Sequence, residues 1–333
     1  MIFHPAIIAL SAGSLLVSLM LLYSAFHGIR ILRNWDMGSG SESQLQLERR
    51  TYLISTLVAC ALGFQLLSLF LFIHTVDCMS GLFVGAMCAA GSLKVNPFGY
   101  PAIVLRVINS ILAGQWLMIN HADNKAFDYP LIRKKYGMLL VIMPLIVAET
   151  AIQGAYFMGL KPEVITSCCG VLFSADSEGW ASGMAALPPV PVAIAFYGFM
   201  AATISAGILF YTRGVGPYLF AGLNLCAATA CVIALICLIS PYFYESPTHH
   251  CPFCILQGEY RYVGYAFYLT LLAGAAAGLG VGTLTPFQGV ESLKRIIPEL
   301  QRTLALVSIL SYSGFVVVAV SGILFSNLRL TGY

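Results

Sequence analysis

A Cys-x-x-Cys pair carries the clearest chemistry in this sequence. Cys251 and Cys254 lie in the stretch Ser246-Pro-Thr-His-His-Cys-Pro-Phe-Cys-Ile-Leu-Gln-Gly-Glu259, directly after two histidines. Thiolate is the reactive form of cysteine, and a helix N-terminus or a protonated imidazole favours it. Because the pair comes where a loop gives way to a hydrophobic run, the pattern predicts thiol–disulfide exchange at the start of a helix. Half of a metal site, or an inert structural disulfide, fits the same spacing.

The composition of the chain is that of an integral membrane protein. Of its 333 residues, 59% are hydrophobic and only 9% are charged, against roughly 25% charged residues in a soluble domain. Helices satisfy their own backbone groups in lipid, so apolar runs of about 20 residues predict an all-α polytopic bundle with eight transmembrane helices. The runs lie near 5–28, 52–76, 100–120, 138–160, 188–211, 217–240, 262–284 and 304–327. No phosphate-binding glycine loop is present, and nothing indicates nucleic-acid binding.

Basic residues are divided unevenly between the predicted loops. The odd-numbered loops hold clusters such as Arg49-Arg50 and Lys134-Lys135, whereas the even-numbered loops hold single residues, Lys94, Lys161 and Arg261. The positive-inside rule therefore predicts cytoplasmic odd loops and two extracytoplasmic termini. We expect a bacterial inner-membrane protein whose cysteine loops face the periplasm or the cell exterior.

The ten cysteines separate according to this topology. Six lie in even-numbered loops, on the oxidising side where disulfides persist: Cys78, Cys88, Cys168, Cys169, Cys251 and Cys254. The other four lie inside predicted helices, where cysteine usually behaves as a small hydrophobe: Cys60, Cys226, Cys231 and Cys237. Adjacent cysteines form only a strained ring with each other, so Cys168 and Cys169 are expected to pair elsewhere. Three static disulfides that pin the outer loops are the alternative to redox exchange.

These motifs resemble the vitamin K epoxide reductase family. Cys251-Pro-Phe-Cys254 is similar to the CxxC of that family, and residues 138–284 repeat its order of helix, cysteine loop, two helices and a CxxC that opens the next helix. Cys169-Gly-Val-Leu-Phe-Ser174 resembles the loop cysteine followed by serine. The second loop is also similar, with Cys78, Cys88, Ser92 and then Asn96-Pro-Phe-Gly-Tyr-Pro101. The chain departs from the family in dividing the loop cysteines between two loops.

The resemblance divides the chain into three parts. Residues 1–137 hold three helices and the Cys78/Cys88 loop, residues 138–284 form the family-like four-helix unit, and residues 285–333 hold a charged segment and the last helix. The segment from Phe287 to Arg302 is compatible with a short interfacial helix or with an ordinary charged loop.

The resemblance also implies a function. In the family, the CxxC pair exchanges electrons with a membrane quinone, and loop cysteines exchange them with an extracytoplasmic thioredoxin-like partner. Cys251 and Cys254 would then be the quinone-side pair, and His250 would assist a thiolate or a proton. The shuttle candidates are Cys78, Cys88, Cys168 and Cys169. The competing interpretation is a non-enzymatic subunit of a larger respiratory or transport complex, with its outer loops held by disulfides.

Two further groups of residues are candidates for contact with a cofactor. Glu259, Tyr260 and Tyr262 follow the CxxC pair and form either an interfacial anchor or the rim of a quinone headgroup site. Arg106 and Glu149 lie inside predicted helices, where ionisable residues are costly and often functional. They are expected to form an ion pair, assisted by Gln153, or to contact a proton or a quinone.

Metal and haem are weaker alternatives. His249 and His250 together with the CxxC thiols could complete a tetrahedral site, but their spacing is tighter than is usual for zinc and adjacent side chains point apart. His27 and His121 lie near the same predicted membrane side and form an admissible haem pair. We therefore expect neither a metal nor a haem.

Overall fold

The computed structural model describes most of the chain. The described residues are 4–35, 42–161, 165–166, 183–184 and 186–329. Cys168 and Cys169, two of the predicted shuttle cysteines, lie outside them. Within the described residues, the regular structure is helical and contains no β-strand.

Among the described residues, eight helices are long and apolar enough to cross a membrane, as the sequence predicts. We number the helices α1 to α9 and include one short helix, α3. The bounds are α1 Pro5–Asn34, α2 Glu42–Cys78, α3 Ala89–Lys94, α4 Gly99–Lys125, α5 Ile132–Met158, α6 Pro189–Arg213, α7 Pro217–Tyr244, α8 Val263–Leu284 and α9 Ile296–Phe325. Large apolar side chains on these helices are exposed, Leu67, Ile194 and Val317 among them. Such surface is consistent with lipid as the solvent.

The charged segment before α9 contains no separate interfacial helix. Short 3-10 turns cover Thr285–Phe287 and Glu291–Leu293, and α9 begins at Ile296. The apolar run predicted a later start, near residue 304, because the first two turns of α9 carry charged residues. The segment from Phe287 to Arg302 therefore matches neither alternative as a whole, because its first part is a loop with a 3-10 turn and its last part, from Ile296, is the start of α9.

The described residues form two compact units. The first comprises the described parts of Met1–Thr75, Asn96–Lys161 and Phe287–Ile297, and the second those of Val76–Val95, Pro162–Pro286 and Pro298–Tyr333. Helix α5 belongs to the first unit, whereas the sequence-based grouping of residues 138–284 placed it with the later helices. The second loop, with Cys88, belongs to the second unit, together with the CxxC pair.

In the second unit, a polar cluster fixes the packing of α7, α8 and α9. Asn224 donates from Nδ2 to the carbonyl oxygen of Gly274 at 3.1 Å and to the hydroxyl of Ser308 at 2.9 Å. The Tyr312 hydroxyl donates to the Asn224 carbonyl oxygen at 3.2 Å. A Cβ atom on Gly278 would lie 1.8 Å from Nδ2 of Asn224. The small residues at every fourth position of α8 therefore permit close helix packing, as their spacing predicts.

We expect Gly278→Ala to destabilise the second unit. The added methyl must displace the Asn224 side chain, and leaving its buried amide without partners costs about 1–3 kcal/mol. The measurement is thermal unfolding of the detergent-solubilised protein. Gly222→Ala in α7 is the matched control, because nothing lies within 4 Å of the added Cβ. Equal unfolding temperatures for the two variants would contradict the role given to Asn224.

Candidate functional site

Three predicted site cysteines come together in the second unit. The Sγ atoms of Cys88, Cys251 and Cys254 all lie within 4.8 Å of one another. Cys88 and Cys251 are in direct contact, with 3.6 Å between their Sγ atoms, against about 2.05 Å in a disulfide. Each of the three residues is at most 4% exposed. We call these three residues the thiol cluster.

The cluster joins two loops that are remote in the sequence. Cys88 directly precedes α3, and the CxxC pair lies in the connection between α7 and α8. Gln257 links the two loops, because its Nε2 donates to the Met87 carbonyl oxygen at 2.8 Å. Asp77 accepts from the backbone N–H of Ala89 at 3.0 Å and so fixes the start of α3. Hydrogen bonds therefore hold Met87 and Ala89, on either side of Cys88, and Gln257, which follows the CxxC pair.

The predicted helix start at the CxxC pair is wrong. Helix α8 begins at Val263, and two 3-10 turns, Cys254–Leu256 and Gly258–Tyr260, separate it from the motif. The backbone of Arg261 and Tyr262 then takes φ values of 55° and 56°, a left-handed conformation that interrupts regular structure. A long helix N-terminus is therefore not the source of any thiolate stabilisation here.

Two tyrosines hold the backbone of the CxxC pair. The Tyr244 hydroxyl, at the end of α7, donates to the Cys251 carbonyl oxygen. The Tyr268 hydroxyl, in α8, donates to the Pro252 carbonyl oxygen at 2.6 Å. Because a hydroxyl from each neighbouring helix binds the motif, its loop is fixed from both sides. Spacing in the sequence gives no signal for these contacts.

Apolar side chains enclose the sulfur atoms. Ala90 and Ile236 are buried with the three cysteines, and Phe253 packs against them. Ile236 lies in a π-helical turn of α7, Leu235–Ile239, a local distortion that often occurs at functional sites. Nδ1 of His250 lies 3.0 Å from the Ile236 carbonyl oxygen. His250, the predicted proton assistant, is therefore anchored to α7 beside the cluster.

His249 is the second imidazole near the thiols. Its ring centroid lies 4.4 Å from that of Tyr244, and its Nε2 atom is buried with no hydrogen-bond partner in the part of the chain that the structure describes. Burial lowers the pKa of His249, a Cys88 thiolate nearby raises it, and His250 lowers it further. At neutral pH this imidazole is therefore mainly uncharged, with a nitrogen lone pair available to a ligand.

A cavity next to the cluster is lined by the first group of predicted cofactor residues, Glu259, Tyr260 and Tyr262. It has a volume of about 520 Å³ and is lined by Phe243, Glu259, Tyr260, Arg261, Tyr262, Val263 and Ala266. Tyr260 also packs against the thiol cluster. Burial, followed by the charges of Cys254, Glu259 and Cys251, raises the pKa of Tyr260. Tyr260 therefore stays protonated and can donate a hydrogen bond.

Other predicted site residues lie apart from the cluster. Cys78 is the last residue of α2 and is exposed. Arg106 and Glu149 are in the first unit, where Arg106 Nε lies 2.9 Å from Glu149 Oε1. Arg106 also donates to Gln153, so the expected ion pair with its glutamine is confirmed. Both charged side chains are at most 2% exposed. Each therefore has its counter-ion within the first unit.

The chain was compared with protein families, curated proteins and solved structures. No family model, no curated protein and no solved structure matches the chain.

Proposed function

We propose that the chain is a membrane thiol–disulfide oxidoreductase that passes electrons between an extracytoplasmic thioredoxin-like partner and a membrane quinone. The observation that carries the proposal is the 3.6 Å contact between Cys88 and Cys251 beside Cys254. Exchange requires one sulfur to reach another that is already in a disulfide. A purely structural disulfide needs two cysteines, whereas a third thiol at contact distance provides an attacking group.

The geometry supports a specific exchange step. With Cys251 and Cys254 joined as a disulfide, the Cys88 thiolate attacks Sγ of Cys251. The S–S bond to Cys254 breaks, a bond between Cys88 and Cys251 forms, and Cys254 leaves as a thiolate. No electron is gained or lost within the three cysteines, and the reverse step restores the original disulfide. The relative potentials of the partner and the quinone then set the direction of net flow.

The burial of the cluster implies a separate contact with the soluble partner. A thioredoxin-like protein cannot reach three residues that are at most 4% exposed, so a solvent-accessible cysteine must carry the disulfide to Cys88. Cys78 is exposed and lies in the same unit, at the end of α2. Cys168 and Cys169 remain predicted shuttles. The cluster loops would face the periplasm or cell exterior, as the distribution of basic residues predicts.

The cavity beside Tyr260 suits a quinone ring. Its volume of about 520 Å³ lies within the roughly 300–1,000 Å³ of small-molecule sites. The aromatic rings provide stacking surfaces, and Tyr260 and Arg261 provide hydrogen-bond donors for carbonyl oxygens. A quinone would accept the two electrons and two protons released when Cys251 and Cys254 become a disulfide. Tyr260, which contacts both the cavity and the cluster, would position the ring.

A redox titration with thiol labelling tests the proposal. We expect Cys251 and Cys254 in the purified protein to titrate reversibly, and a short-chain quinone to reoxidise them. Mass spectrometry locates the labels, and Cys251→Ser and Cys254→Ser identify the pair. If Cys78, Cys88, Cys251 and Cys254 all stay oxidised under mild reductant until the protein unfolds, they form structural disulfides. That outcome would favour the non-enzymatic subunit of a larger complex.

We expect Tyr262→Ala to weaken quinone binding while leaving the thiols reactive. Tyr262 lines the cavity but is 58% exposed, so its removal should leave the fold intact. Loss of one stacking aromatic should raise the apparent KM for the quinone roughly 5–10-fold, as expected for about 1 kcal/mol. Tyr218→Ala in α7 is the control, because Tyr218 is similarly exposed and does not line the cavity. Equal KM values for both variants would place the quinone elsewhere.

A further inference from the structure

The thiol cluster also has the geometry of a metal site. Two thiolates bound to one tetrahedral zinc ion lie about 3.8 Å apart, given Zn–S bonds of about 2.3 Å. The Cys88–Cys251 separation is 3.6 Å, and no Sγ pair exceeds 4.8 Å. Small rotations about the side-chain bonds would therefore bring all three sulfur atoms to one ion. Three thiolates select soft or borderline cations over magnesium or calcium.

A candidate nitrogen ligand lies in the same loop as the CxxC pair, two residues before Cys251. Nε2 of His249 is buried and has no hydrogen-bond partner among the described residues, although buried polar atoms are nearly always satisfied. His249 packs on Tyr244, whose hydroxyl binds the backbone of Cys251. A metal ion would satisfy this nitrogen. Three cysteines and one histidine form a familiar tetrahedral zinc set.

We infer that Cys88, Cys251 and Cys254, when all three are reduced, bind one d¹⁰ cation of the thiolate-preferring class, Zn²⁺ or Cu⁺. His249 supplies the fourth ligand for zinc, whereas three sulfur atoms suffice for copper. Binding releases the thiol protons and transfers no electrons. The inference requires only the reduced cluster and does not depend on disulfide exchange.

Metal binding and disulfide formation would exclude each other. A disulfide between any two of the three cysteines removes two of the three sulfur ligands. A bound cation in turn holds the thiolates and prevents Cys88 from attacking Cys251. The cation would therefore block the exchange step in proportion to its occupancy, and oxidation of the cluster would release it.

Competition titrations on the full-length protein test this inference. The protein is reduced with a phosphine under anaerobic conditions, and Zn²⁺ or Cu⁺ is titrated against a chromophoric chelator. We expect one ion per chain, and Cys88→Ser or Cys251→Ser should weaken binding at least 100-fold. His249→Ala should weaken zinc binding and leave copper binding within about threefold. Co²⁺ in place of zinc should give thiolate-to-cobalt charge-transfer absorption that is lost in the same cysteine variants.

The controls are cysteines outside the cluster. Cys60→Ser and Cys226→Ser remove exposed cysteines that take no part in the proposed exchange and should leave the affinity unchanged. Absence of a stoichiometric ion in the reduced wild type would overturn the inference. An ion that is lost in Cys78→Ser, Cys168→Ser or Cys169→Ser but retained in Cys88→Ser would also overturn it, because the ligands would then be other cysteines.

Failure of this inference is distinguishable from failure of the proposed function. A metal-free reduced protein that still exchanges disulfides with a quinone rejects the metal site alone. A protein that binds one ion through Cys88, Cys251 and Cys254 but shows no reversible thiol titration rejects the oxidoreductase alone. Circular dichroism of each serine variant establishes that the helices are retained, so that loss of binding reports the ligand and not the fold.

Discussion

Replacing Cys254 by serine is expected to trap a disulfide between Cys88 and Cys251. In the wild type, the Cys254 thiolate can attack Cys251 and release Cys88 again. A serine hydroxyl cannot do so, and the two sulfur atoms already lie 3.6 Å apart. Non-reducing digestion and mass spectrometry should therefore find a cross-linked peptide containing both cysteines as the major oxidised species. Quinone-linked thiol oxidation should fall by roughly 10³ or more, the scale of losing a covalent nucleophile.

Three comparisons determine what the trapped species means. Cys254→Ser combined with Cys88→Ser should remove the cross-link, and Cys226→Ser, which changes an exposed cysteine of α7, should not create one. If Cys251 is joined instead to Cys168 or Cys169, the contact with Cys88 is not the exchange contact. If Cys251 stays a thiol under oxidising conditions, the cluster does not exchange disulfides.

The membrane helices could be predicted because span length is a property of consecutive residues. A helix that crosses the apolar layer needs about 20 apolar residues, and each of the eight runs corresponds to an observed helix. The ends were less accurate where charged residues continue a helix, as at Glu299 and Arg302 in α9. Hydrophobicity measures the lipid-embedded part of a helix, whereas backbone hydrogen bonding determines its full length.

The composition of the thiol cluster could be predicted only in part. Chemistry and topology identified all three cysteines as candidates, but Cys88 and Cys251 are 163 positions apart. No local pattern tells which loop cysteine meets the CxxC pair. The tyrosines that hold the motif, Tyr244 and Tyr268, were missed because their hydroxyls bind backbone oxygens, which any sequence provides. The supposed helix at the CxxC failed because the chain first makes two 3-10 turns.

The buried ion pair of the first unit was predictable because its two helices are neighbours in the sequence. Glu149 accepts from Arg106, from Gln65 at 2.8 and 2.7 Å, and from Asn109 at 2.6 Å. Arg106 also donates to the Ser68 carbonyl oxygen at 2.8 Å and lies over the Phe72 ring. Each side chain is thus surrounded by hydrogen-bond partners, which offset the cost of removing it from water.

Removing one charge of this pair should destabilise the protein severely. Glu149→Gln leaves the Arg106 guanidinium without a counter-ion, and breaking a buried pair costs about 3–5 kcal/mol. The double variant Arg106→Met, Glu149→Met removes both charges and should recover most of that loss in thermal unfolding. Lys294→Ala is the control, because the exposed Lys294–Glu291 pair contributes no more than about 1 kcal/mol.

The double variant also decides between a structural and a functional role for the pair. If the double variant recovers stability and its quinone-linked thiol oxidation is unchanged, Arg106 and Glu149 have a structural role in the first unit. Recovered stability with lost oxidation would support the prediction that the pair contacts a proton or a cofactor. A double variant as unstable as Glu149→Gln would contradict the argument from uncompensated charge, since the instability would then arise from the lost hydrogen bonds of Gln65 and Asn109.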